Sequence, residues 1–141
     1  MFWFAIVLTI VSNVFYHIFQ KITPQDANPV FALAISYLVA GLICIVLLIW
    51  FPLEDGLRQS LNKLNWATIG LAFTLVGLEL GFLLAYRAGW NISIAGLASN
   101  ATVSVLLLPV GLMFFKEQLS RVNIAGMLVT IVGLVLMNWG K

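Results

Sequence analysis

The sequence predicts an all-helical membrane protein in which one short chain carries five spanning helices. Of its 141 residues, 62% are hydrophobic and only 9% are charged, and the mean hydropathy is +1.09. A soluble domain of this length exposes far more charge, which indicates the membrane class. The apolar runs are continuous rather than alternating, and this excludes an outer-membrane barrel. The single cysteine, Cys44, lies inside a predicted span and indicates nothing about redox compartment.

The predicted spans fill almost the whole chain, which we interpret as one five-helix membrane domain over residues 1–141. The first span has no preceding Lys or Arg and no cleavage site, so we expect a retained helix rather than a signal peptide. Asn28 and Pro29 mark the start of the second span, since a capping residue precedes a proline. The link of residues 52–65 carries leucines at helical spacing and predicts a short amphipathic surface helix. The spans are about 2–19, 29–51, 66–86, 92–115 and 122–137.

The tryptophans support these boundaries. Tryptophan favours the headgroup region because its ring is apolar and its N–H needs a partner. All five tryptophans fall at predicted span ends, and they are Trp3, Trp50, Trp66, Trp90 and Trp139.

The lysines and arginines give almost no signal for orientation. Four lie on the side of the N-terminus and three on the other side. They are Arg58, Lys63, Lys116 and Arg121 on the first side, and Lys21, Arg87 and Lys141 on the second. Such balance is typical of a chain that inserts both ways up, and with an odd span count the second copy supplies an inverted repeat. We therefore predict an antiparallel homodimer of ten helices; the alternative is one fixed orientation with the N-terminus inside.

Six polar residues of the first span share one stripe of the helix. Lipid cannot satisfy such a stripe, so it should face a bundle interior or a watery cavity. The stripe consists of Thr9, Ser12, Asn13, Tyr16, His17 and Gln20. The alternative interpretation is hydrogen bonding that only holds helices together. We favour a cavity lining, in which Asn13, Tyr16 and His17 shape a substrate site.

Glu79 is the one carboxylate inside a predicted span. At about 1.5 Å per residue it lies well within the hydrocarbon. An ionised carboxylate there is costly unless it is protonated, paired with a cation or hydrated. We predict that Glu79 binds a proton or a cation, with His17 as its partner or proton relay. The alternative is a protonated carboxyl locked to a neighbouring helix beside Gly77 and Gly81.

The last two spans carry fewer polar residues. Asn100 is predicted to join the substrate site, and Pro109 should kink the fourth span. Glycines recur every seven residues along the fifth span and indicate close helix contact with a partner chain; they are Gly126, Gly133 and Gly140. The sequence has no phosphate loop, no metal-spaced His/Cys cluster and no basic tract for nucleic acid. Neither enzyme activity nor a metal or cofactor is expected.

Four segments resemble an EamA-type domain of the drug/metabolite transporter superfamily. They are residues 12–15, 86–89, 115–120 and 124–136. The resemblance implies Glu117 as a signature residue of the turn before the last span, where we expect it to pair with Arg121 in a structural role. It also implies a five-span unit of which family members usually carry two, oppositely oriented. The small multidrug resistance relatives carry their glutamate in the first helix, whereas here it is in the third.

These observations together predict a secondary-active, alternating-access transporter in the inner (plasma) membrane. It would move a small metabolite or drug-like organic compound, coupled to protons, through a cavity lined by spans one, three and four of a dual-topology homodimer. Its expected partners are the lipid bilayer, a second copy and the substrate, and no nucleic acid. Two alternatives remain: a half-transporter that pairs with an oppositely oriented paralogue, and a non-transporting membrane assembly or regulatory subunit.

Overall fold

The structure is a computed structural model that describes residues 2–116, 118 and 120–139. Within those ranges the regular secondary structure is entirely helical, which confirms the predicted fold class at that level. The helices are α1 (Phe2–Ile22), α2 (Pro29–Leu47), α3 (Gly56–Asn62), α4 (Trp66–Arg87), α5 (Ile92–Phe114) and α6 (Arg121–Trp139).

Four helices are long and apolar enough to cross a membrane: α1, α2, α4 and α5. The described apolar part of α6, Arg121–Leu136, is shorter than these four. Four of the five predicted spans therefore have the length and composition of membrane helices, and the fifth stays a prediction. The five tryptophans are exposed and lie within three residues of a helix end, as the sequence predicts.

Side-chain caps determine where α2 and α4 begin. The Oδ1 atom of Asn28 accepts hydrogen bonds from the backbone N–H groups of Val30 and Phe31, at 3.0 and 3.1 Å. The Oδ1 atom of Asn65 accepts one from the N–H of Ala67 at 2.9 Å. Each cap satisfies N–H groups that the helix itself leaves unpaired, and such a cap stabilises a helix by about 1 kcal/mol. Both helices begin where the sequence predicts.

The ends of α1 and α2 differ from the prediction. α2 ends at Leu47, and the chain then tightens into turns through Trp50, four residues short of the predicted end. Pro52 disfavours helical backbone in the residue before it, whereas hydropathy alone extends the apolar run to Phe51. α1 continues three residues further than predicted, to Ile22, because polarity by itself does not end a helix.

The predicted helix between the second and third spans is present as α3. The Asp55 and Lys63 side chains, which flank the helix, form an ion pair across its length. Leu57 and Leu61 are both exposed, so this chain leaves the leucine face of α3 uncovered. A position on the membrane surface remains a prediction for this face.

The chain divides into two compact units, Met1–Gly89 and Trp90–Lys141. In the first unit α4 packs against α1 and against α2, around Leu33, Leu83 and Tyr86. Gly89 ends this unit with φ +96°, a backbone conformation that glycine adopts without strain.

In the second unit α5 packs against α6, and its buried positions are occupied by small residues. They are Ala95, Gly96, Ala101 and Gly111. Pro109 lies inside α5, which continues as helix to Phe114, and the predicted kink stays a prediction. A Cβ atom added at Gly126 or Gly133 would meet no atom of its unit within 4 Å. Gly140 and Glu117, with the expected pairing of Glu117 to Arg121, lie outside the described residues.

Candidate functional site

A small pocket lies inside the first unit, among α1, α2 and α4. Its volume is about 160 Å³. An engineered cavity of about 150 Å³ binds benzene, so this pocket suits a ligand of about six to eight non-hydrogen atoms. It is lined by Tyr16, Phe19, Gln20, Thr23, Ala32, Leu33, Ser36, Glu79 and Leu83. Most of the pocket surface is apolar, and five of the nine lining residues add a polar side-chain group.

Glu79 contributes the one charged side chain of this lining. The residue is half-buried on α4. Its carboxylate makes no hydrogen bond and no ion pair with any described residue. A carboxylate in hydrocarbon is costly without a partner, and within the described part of the chain Glu79 has none.

Gln20 is the buried polar residue of the pocket wall, only 8% exposed. Its Nε2 atom donates to the backbone oxygen of Glu79 and to the hydroxyl of Tyr16, at 3.4 Å in both cases. A backbone carbonyl can only accept, so this contact fixes which way the Gln20 amide points. Gln20 thus joins α1 to α4 at the level of the carboxylate.

Two tyrosines, Tyr16 on α1 and Tyr37 on α2, lie near Glu79. The Tyr37 hydroxyl oxygen is buried and has no hydrogen-bond partner in the described part of the chain. Buried hydroxyls are nearly always bonded, so this one is a candidate contact for a ligand. Neither Ser36 nor Tyr37 was among the site residues predicted from the sequence. The available signal was a pair of adjacent hydroxyl residues within an otherwise apolar span.

His17 lies beside the pocket but has a different partner from the one the sequence suggested. Its Nδ1 atom is hydrogen bonded with the Tyr86 hydroxyl at 2.8 Å. Its ring also meets the Phe82 ring edge-on, with centroids 4.8 Å apart. Tyr86 is seven residues beyond Glu79, about 10 Å further along α4. The suggested pairing of His17 with Glu79 is therefore not present in this structure.

The cations nearest to the pocket already contact backbone oxygens. Lys21 Nζ lies 3.4 Å from the backbone oxygen of Tyr86 and 5.5 Å from the centre of its ring. Arg87 donates from one nitrogen to the backbone oxygens of Pro24 and Ala27, at 2.9 and 2.8 Å. These bonds hold the α1–α2 link against the end of α4. Neither cation belongs to the pocket lining.

The predicted site residues thus fall into three groups. Tyr16 and Glu79 line the pocket together. Asn13 is half-buried on α1, and His17 contacts Tyr86; neither belongs to the lining. Asn100 is exposed on α5 in the second unit, where its backbone oxygen accepts from Ser104. The third wall of this pocket is α2, whereas the cavity proposed from the sequence is lined by spans one, three and four.

The sequence profile of the EamA-like transporter family matches residues 2–139, nearly the entire chain. The chain belongs to the EamA-like transporter family. It is also similar to Uncharacterized protein MJ1333.1 of Methanocaldococcus jannaschii, with 23% identity over 137 residues. That similarity covers 95% of this chain and 96% of the relative. No solved structure matches the chain.

Family membership confirms the resemblance drawn from the sequence segments. It places this protein among the membrane transporters of the drug/metabolite transporter superfamily. The four long apolar helices agree with a membrane location.

Proposed function

We propose that this EamA-like protein is a proton-coupled, alternating-access transporter of a small metabolite or drug-like organic compound. The observation that carries the proposal is the pocket of the first unit, which is mostly apolar and holds the unpaired carboxylate of Glu79. An ionisable side chain inside a spanning helix is rare and typically marks a substrate or proton pathway. Asn13, His17 and Asn100 stay proposed members of the wider substrate path.

Coupling follows from the chemistry of Glu79. Within hydrocarbon the carboxylate avoids most of the free-energy cost of its charge when it is protonated or when it is paired with a bound partner. Both states use the same two oxygen atoms, so proton binding and substrate binding exclude each other. Each transport cycle then exchanges a proton for a substrate, and a pH gradient drives substrate movement in the opposite direction.

We further propose that α6 is the fifth span and that the chain works as an antiparallel homodimer of ten helices in the plasma membrane. The 19 residues of α6 rise about 28 Å, close to the hydrocarbon thickness of about 30 Å. Two observations support the homodimer. The Lys and Arg distribution is nearly even, and space at Gly126 and Gly133 permits close approach of another helix.

The transport proposal is tested with purified protein in liposomes under a pH gradient. Proton flux is recorded with an internal pH dye while candidate substrates are added. We expect substrate-dependent flux from the wild type and from Glu54→Gln, which changes an exposed carboxylate outside the spans. Glu79→Gln should abolish the flux, because an amide cannot exchange a proton. Coupled flux that persists in Glu79→Gln contradicts the mechanism, and absence of flux with every substrate favours the non-transporting subunit.

The orientation proposal is tested by labelling intact cells with a membrane-impermeant thiol reagent. Exposed Cys44 is first replaced by alanine, and one cysteine is introduced at Gln59 on α3. Dual insertion leaves about half of the molecules accessible from each side. Complete labelling, or none, shows one fixed orientation and favours a half-transporter with an oppositely oriented partner.

A further inference from the structure

We infer that the pocket selects a small organic cation with N–H donors, such as a primary ammonium, over quaternary cations, anions and zwitterions. The inference rests on the proposed function and specifies its substrate class. It follows from counting which polar atoms of the lining already have a hydrogen-bond partner.

The two aliphatic hydroxyls of the lining have already donated their protons. Ser36 donates to the backbone oxygen of Ala32 at 3.0 Å, and Thr23 donates to that of Phe19 at 2.9 Å. A hydroxyl has one proton, and a backbone carbonyl can only accept. Towards a ligand, both side chains therefore offer only lone pairs.

The amide of Gln20 has likewise used its donors within the protein. Its nitrogen donates to two partners, the Glu79 backbone oxygen and the Tyr16 hydroxyl. An amide nitrogen has two protons, so only the amide oxygen of Gln20 remains, as an acceptor. The Tyr16 hydroxyl accepts from Gln20 and keeps its own proton as the one donor of the lining.

The polar lining thus presents four acceptor groups and one donor: the acceptors are the Glu79 carboxylate, the Gln20 amide oxygen and the Ser36 and Thr23 hydroxyls. A carboxylate or phosphate ligand would meet the charge of Glu79 with only neutral hydroxyl donors to compensate, from Tyr16 in the lining and from Tyr37 near Glu79. An amino acid zwitterion would leave its carboxylate without a cationic partner, since Lys21 and Arg87 contact backbone oxygens beyond the lining. Unpaired polar groups are costly away from water.

A primary ammonium complements this lining. Its three N–H groups match the acceptors, and its charge matches Glu79. A quaternary ammonium matches the charge but has no N–H. The acceptors would then lose their hydrogen bonds to water and gain none to the ligand. The apolar part of the lining, Phe19, Ala32, Leu33 and Leu83, suits a short hydrocarbon tail.

The experiment measures equilibrium binding to full-length purified protein in lipid nanodiscs. The probes are of similar size: n-pentylammonium, ethyltrimethylammonium, n-pentanol, pentanoate and norvaline. Isothermal titration gives each Kd, and thermal unfolding without probe verifies that each variant is folded. We expect n-pentylammonium to bind at least about ten-fold more tightly than any other probe, since the others leave acceptors or charges unpaired.

Matched variants separate charge recognition from hydrogen bonding. Glu79→Gln should abolish the preference for n-pentylammonium, whereas Glu54→Gln should keep it. Ser36→Ala removes one acceptor and should weaken n-pentylammonium about three- to ten-fold while leaving ethyltrimethylammonium unchanged. Thr74→Val is the control, because Thr74 bonds its own helix through Leu71 and does not line the pocket.

Each outcome decides the inference. Equal or tighter binding of ethyltrimethylammonium, pentanoate or norvaline overturns it, and so does folded protein that binds none of the probes. Failure of transport is distinguishable, because binding is measured without a gradient. Selective n-pentylammonium binding without proton flux in liposomes supports the substrate class and contradicts the transporter. Glu79-dependent flux with a different class of compound supports the transporter and contradicts the substrate class.

Discussion

The two units of this chain bury different kinds of residue. The first unit joins its helices through polar contacts, with Gln20 of α1 bonded to the backbone of α4 and His17 bonded to Tyr86. The second unit buries alanine and glycine on α5, and the hydroxyls of Ser104 and Thr130 bond their own helices. Polar contacts across helices fix side chains at a site, whereas small residues let backbones approach closely. We therefore expect the main binding site in the first unit and close helix packing in the second.

The largest expected effect on stability is in the first unit. Leu83 is 1% exposed and lines the pocket, whereas its neighbour Leu84 is 48% exposed. Leu83→Ala should lower the free energy of unfolding by about 2–5 kcal/mol, because it leaves a cavity at a packed position. Leu84→Ala should change it little. Reversible unfolding in mixed micelles measures both, and equal losses would show that α4 is not packed as described.

The second unit should respond more strongly to added volume than to lost volume. Ala101 is 8% exposed on α5, and Ala101→Leu should cost about 1–3 kcal/mol by forcing packed helices apart. Ala125→Leu, at an exposed position on α6, is the matched control. The same unfolding measurement decides the point: tolerance of leucine at position 101 would contradict close packing of small residues in this unit.

This contrast also explains how much the sequence alone could predict. The starts of α2 and α4 were predictable because a cap acts within three residues, as Asn28 does. The place of Glu79 inside a long apolar helix was predictable because hydropathy is a property of one stretch of chain; its role stays a prediction. Such features are local, and the sequence carries them directly.

Features that depend on the distance between helices were not predictable. His17 shares a stripe with Tyr16, yet its ring meets Tyr86 rather than Glu79. The periodicity of one helix gives the direction of a side chain but not its partner on another helix. The contribution of α2 to the pocket wall was not predicted for the same reason, since hydropathy treats Ser36 and its apolar neighbours as one run.

A smaller effect is expected at the polar contact between α1 and α4. Tyr86→Phe removes the hydroxyl bonded to His17 and keeps the ring that stacks on Phe82. The loss should be about 1 kcal/mol, the usual net contribution of one hydrogen bond. In a double-mutant cycle with His17→Ala, a coupling energy near zero would mean that this bond does not hold the two helices together.

The smallest effect on stability distinguishes Tyr37, which lies near Glu79, from Tyr86, which is hydrogen bonded with His17. The Tyr37 hydroxyl is buried without a partner among the described residues, so Tyr37→Phe removes an unsatisfied group rather than a bond. Stability should stay equal or rise by up to about 1 kcal/mol, in contrast to the loss in Tyr86→Phe. If the hydroxyl contacts a bound ligand, the same variant weakens n-pentylammonium binding while the fold remains intact. A variant that loses stability as Tyr86→Phe does would show that the Tyr37 hydroxyl has a hydrogen-bond partner in the folded protein.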